Sequence, residues 1–91
     1  MAILVEIEFP GATALQYEEV RKLAGIGDGK PPGAISHVAI AGDDGLRIVD
    51  LWETEADLKA FLEVILPLTQ QVGIQPPAEQ RKISPVYNYV V

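Results

Sequence analysis

His37 is the only histidine in this 91-residue chain, and there is no cysteine. An imidazole does acid–base chemistry only with the right neighbours. Asp50 interrupts the apolar run of "LRIVDLW", and the only tryptophan, Trp52, follows two residues later. A carboxylate beside an imidazole sets its tautomer and favours its charged form, which suits the pair to general acid–base chemistry. An indole beside that pair offers an apolar wall to a flat ligand. A metal site needs three or four convergent ligands, so one histidine without cysteine implies no metal.

Whether these side chains meet depends on the turn "GDDG", residues 42–45. If Asp43-Asp44 form the loop, Gly42 pairs with Gly45, Ala41 with Leu46, and His37 falls directly opposite Asp50. If Asp44-Gly45 form it, the stronger type I′ signal, His37 falls opposite Trp52 and Asp50 is the diagonal neighbour. Direct neighbours lie about 5 Å apart and diagonal ones about 7–8 Å, so either register allows contact. An odd loop or a bulge would separate them. The trio has two readings: a satisfied polar contact with Trp52 in the core, or a site with His37 and Asp50 as catalytic pair and Trp52 against the ligand.

The elements that position these residues follow from periodicity. Residues 2–9, "AILVEIEF", alternate, with Ile3, Val5, Ile7 and Phe9 on one side. Thr13 then caps a helix with Gln16 as its capping-box partner. Leu15, Tyr17, Val20, Leu23 and Ala24 suggest its buried stripe. "GIGDGKPPG", residues 25–33, is a loop. It follows a helix and enters a strand, the reverse of a phosphate loop. It reads instead as a connection or a flap at the pocket mouth.

Strands at 34–41 and 46–53 precede a helix capped by Thr54 with Asp57 at N3. Leu58, Phe61, Leu62 and Ile65 form that helix's stripe, and Pro67 implies a kink or break followed by a last turn to Gly73. After "QPPAEQ", residues 81–91 read as a strand interrupted by Pro85. Tyr87 and Tyr89 there fit packing against a partner chain, and Tyr87 also fits a ligand contact. Tyr17 and Phe61 would close the pocket from the helix side. Glu6 and Glu8 answer Arg47 across the sheet or face solvent.

The order β-α-β-β-α-β predicts an α+β, ferredoxin-like domain over residues 1–91, a four-stranded antiparallel sheet with two helices on one face. The third strand is apolar on both faces, through Leu46, Ile48 and Trp52 on one and Val49 and Leu51 on the other, and two helices cover only one face. A second copy of the sheet is the expected cover, giving a homodimer through the sheet face. So short a chain buries only about 60–65 % of its unfolded surface, and a partner would help. Thirteen acids against seven bases, a net charge of −6, leave no basic stripe for nucleic acid. No apolar run reaches membrane-spanning length, and "MAILVEIEF" is not a signal peptide, so a cytoplasmic location is expected.

"VDLWETEADLKAFL", residues 49–62, resembles the strand-Trp-Glu-Ser/Thr-x-Glu-Ala-helix signature of dimeric α/β-barrel proteins, particularly the antibiotic-biosynthesis-monooxygenase-like group. That resemblance implies paired sheets, a pocket between each sheet and its helices, and a small aromatic or polyketide-like ligand oxidised without a cofactor. It departs from the pattern at Ala60-Phe61, where family members often carry a histidine in the second position. The haem-degrading branch also places a histidine further along this helix, where Thr69-Gln70-Gln71 stand here, so haem and other cofactors are not implied. A non-catalytic binding or accessory protein is the alternative reading.

Overall fold

A computed structural model describes residues 1–75 and 81–91. The elements run β1 (Ile3–Pro10), α1 (Ala14–Leu23), β2 (Ala34–Gly42), β3 (Gly45–Trp52), α2 (Glu55–Gln71) and β4 (Lys82–Pro85). They form one antiparallel sheet in the order β2-β3-β1-β4. This is the ferredoxin-like arrangement. Residues 76–80, read from sequence as part of a connection, lie outside the described residues.

Period-two alternation builds the core as expected. Ile3, Val5, Ile7 and Phe9 of β1 are buried beside Leu46, Ile48 and Trp52 of β3. Leu58 and Leu62 of α2 and Val20 of α1 close over them. The Thr13–Gln16 capping box forms, and Thr54 accepts a hydrogen bond from the Asp57 amide at 3.1 Å.

The structure corrects three expectations. On α1 only Val20 is buried, while Leu15 and Leu23 are exposed. At about 100° per residue, Tyr17, Val20 and Ala24 share a face and Leu15 lies roughly 160° from Tyr17. Pro67 does not break α2, which continues to Gln71. Pro67 withholds the bond to the Glu63 carbonyl, but both residues are exposed and water can serve that carbonyl, while Ile65, Leu66 and Leu68 hold the helix to the core. The last strand stops at Pro85 because its ladder ends where β1 begins, at Ile3. One further bond, from the Val86 amide to the Ala2 carbonyl, precedes exposed Tyr87, Val90 and Val91.

At the hairpin, Gly42 pairs with Gly45, so Asp43-Asp44 form the loop. Neither aspartate has positive φ, so the turn is not type I′. Gly45 takes up the rotation instead, with φ 144° and the Phe9 carbonyl 2.6 Å from where a Cβ would stand. The only register shift in the β2–β3 ladder lies between Ala34 and Ser36, so it leaves the strand from Ser36 onward in step.

Candidate functional site

With Ala41 opposite Leu46, His37 stands directly opposite Asp50 on the face that the helices cover. The His37 Nδ1 and an Asp50 carboxylate oxygen are 2.5 Å apart. Asp50 is the only buried polar or charged residue among those described, at 6 % exposure. A carboxylate so enclosed needs a partner, and the imidazole supplies it.

The opposite ring nitrogen is also occupied. The Tyr17 hydroxyl lies 2.5 Å from His37 Nε2, and the two ring planes are within 6° of parallel. With Nδ1–H donating to Asp50, neutral His37 presents Nε2 as an acceptor, so Tyr17 donates its proton to it. Arg21 follows Tyr17 by one helical turn. Its guanidinium sits 5.7 Å from the Tyr17 ring centre, and its Nη1 lies 3.4 Å from the hydroxyl. Burial pushes the Tyr17 hydroxyl above its ordinary value; the Arg21 charge and hydrogen bond pull against that, and the Asp50 charge adds to the rise.

These polar groups border a pocket between sheet and helices with about 80 Å³ of free volume. Tyr17, Arg21, His37, Asp50 and Phe61 line it, and most of the remaining wall is aliphatic. Ile26, from the loop between α1 and β2, forms part of the wall. Arg21 ties that loop down by donating to the carbonyls of Gly27, at 2.7 Å, and Gly29, at 2.5 Å.

The site thus gathers His37, Asp50, Tyr17 and Phe61. Trp52 is 1 % exposed and lies outside the lining, with its ring 5.4 Å from that of Phe61, so it backs the pocket wall. Its indole N–H has no hydrogen-bond partner among the described residues. Tyr87 is fully exposed and away from the pocket. Ala39 and Ala41, on the same face as His37, are exposed beyond it. The sequence reading missed Arg21, although its position four residues after Tyr17 on a helix was available as a signal. Of the two acids on β1, Glu6 takes Arg47, at 2.9 Å.

No family model matches the sequence, and no curated protein matches it. Solved structures do. A candidate antibiotic biosynthesis monooxygenase from Chloroflexus aurantiacus J-10-fl superposes with a TM-score of 0.61 at 21 % identity, covering 99 % of this chain and 98 % of its own. SnoaB, a cofactor-independent oxygenase from Streptomyces nogalater, gives 0.64 at 12 % identity, covering 98 % and 95 %. The chain has the antibiotic-biosynthesis-monooxygenase fold. At these identities the likeness is one of fold, so the roles of Tyr17, His37 and Asp50 rest on their own geometry. No described helix of this monooxygenase-like fold is long and apolar enough to cross a membrane.

Proposed function

We propose that the pocket binds a small aromatic or polyketide-like molecule and removes a proton from it, so that the anion reacts with oxygen without a cofactor. The observation that carries this reading is the Asp50–His37–Tyr17 chain, set into an otherwise apolar wall. In such a wall a positioned base meets its substrate with little competing water. The proton leaves the substrate and ends on His37, as an imidazolium paired with Asp50. The resulting carbanion-like substrate gives electrons to O₂ and forms a carbon–oxygen bond. The peroxide takes the proton back and loses water, leaving a carbonyl. A free volume of about 80 Å³ is well below the roughly 300–1,000 Å³ of common ligand sites, so a polycyclic substrate requires the wall to give way.

Oxygen uptake with an anthrone-type substrate, measured on the wild type and on His37→Gln, tests this function. Uptake should consume one O₂ per quinone formed and fall by at least tenfold in the variant. Absence of uptake by the wild type defeats the enzymatic reading. A second reading, a non-catalytic binding protein, draws on Phe61, which stands where a histidine is common in proteins of this type. It is favoured if ligand changes Trp52 fluorescence while no oxygen is consumed. The assembly that goes with either reading is a homodimer closed through the uncovered sheet face, where Val38 and Ile40 are about half exposed.

A further inference from the structure

We propose that Tyr17, not His37, is the group that takes the proton from the ligand, passing its own proton to His37 in the same step. This inference rests on the acid–base reading of the pocket and changes which residue touches the substrate.

Both nitrogens of His37 are already engaged, Nδ1 by Asp50 and Nε2 by the Tyr17 hydroxyl, each at 2.5 Å. An incoming phenol or enol would have to displace Tyr17 to reach Nε2. The Tyr17 oxygen needs no such displacement. Its proton points at His37, and an oxygen lone pair remains to accept from a ligand hydroxyl. Tyr17 lines the pocket.

The balance of the step is simple. The ligand O–H breaks and its proton forms a new O–H on Tyr17. The original Tyr17 O–H breaks and its proton forms N–H on His37 Nε2. His37 becomes an imidazolium with Nδ1–H still bonded to Asp50, and the ligand becomes an anion. Tyr17 is a neutral phenol before and after. The charge created is one imidazolium beside one carboxylate and one ligand anion near Arg21, whose Nη1 already lies 3.4 Å from the Tyr17 oxygen. That guanidinium favours a ligand carrying its ionisable hydroxyl at this end of the pocket, with an apolar body toward Phe61 and α2. The class selected is an acidic phenol or enol on an apolar ring.

The test uses a nitrophenol, whose phenolate absorbs in the visible. Binding is read separately from the fluorescence of Trp52, the only tryptophan, whose ring packs on pocket-lining Phe61. Below the probe's solution midpoint, wild-type protein should raise the bound phenolate fraction. Tyr17→Phe keeps the ring and should still bind, shown by the fluorescence change, but the phenolate-to-phenol ratio should fall about tenfold. His37→Gln should lose the band as well, since the proton then has no destination. If Tyr17→Phe ionises the probe as well as wild type does, the Tyr17 oxygen gives the bound phenolate nothing that His37 alone cannot, and the inference fails while the pocket reading stands. If wild type changes neither fluorescence nor absorbance, the pocket reading fails and takes the inference with it.

Discussion

Asp50 carries a local cost, because a carboxylate at 6 % exposure is tolerable only while His37 answers it. His37→Ala should therefore destabilise the fold by about 3 kcal/mol, the range for stranding one member of a buried pair. Adding Asp50→Leu should recover much of that loss, because the stranded charge is gone. Urea midpoints of wild type, both single variants and the double close the cycle, and additive losses would mean that the two groups are not coupled. Tyr17 has a pH signature of its own. Its folded-state value lies above the ordinary 10.0, chiefly through burial, so the native state holds this proton more tightly than the unfolded chain. The stability this contributes is complete below about pH 10 and is lost as pH climbs through the raised value. Wild type should lose stability across that range more steeply than Tyr17→Phe, and parallel curves would remove Tyr17 as the source. The His37–Asp50 contact was legible in the sequence because strand alternation has a period of two and an even loop preserves it. The Tyr17–His37 bond was not, since periodicity does not set how a helix is rotated and shifted over a sheet. Nor was Arg21's hold on Gly27 and Gly29, because loop carbonyls leave no mark on side-chain pattern.

The elements show the same division between local and tertiary control. Caps were readable, since Thr13 and Thr54 each satisfy an amide three residues on through chemistry internal to the segment. A break at Pro67 does not occur because its local cost is outweighed by burial of its neighbours along α2. That cost is still present, and replacing the proline shows its size. A helix interior disfavours proline by about 3 kcal/mol relative to alanine, and the freer unfolded chain of the variant offsets up to about 1 kcal/mol. Pro67→Ala should thus stabilise the protein by about 2 kcal/mol, read as a rise in the thermal midpoint. Neighbouring Leu66 and Thr69 line the pocket. A variant that is more stable yet binds ligand more weakly would show that the proline shapes the pocket wall. No gain in stability would mean that the helix already accommodates it without cost.

For the whole molecule, the decisive feature is the sheet face opposite the helices. There Val49 is half-buried, Val38 and Ile40 are 50 % and 48 % exposed, and the Glu6–Arg47 pair lies alongside. The sequence pattern pointed to this face, because β3 is apolar on both sides while the pattern offers two helices to cover one of them. What it did not reveal is that Leu51 is already 5 % exposed within one chain, so β2 carries more of the uncovered apolar surface than β3. A second copy placed on this face by a two-fold axis would cover Val38, Ile40 and Val49 on both chains at once. Sedimentation at low micromolar concentration should give the mass of two chains. A stable folded monomer there would remove the dimer. Val49→Lys should shift the mass to one chain, because each copy of the axis-related face would then bring a lysine toward the other. The uncovered face should then make that variant prone to aggregate. The exposed Tyr87, Val90 and Val91 sharpen the distinction. If they pack on the partner, Tyr87→Ala weakens the dimer without changing ligand binding in the pocket. If Tyr87 completes the partner's pocket, the same substitution weakens both together.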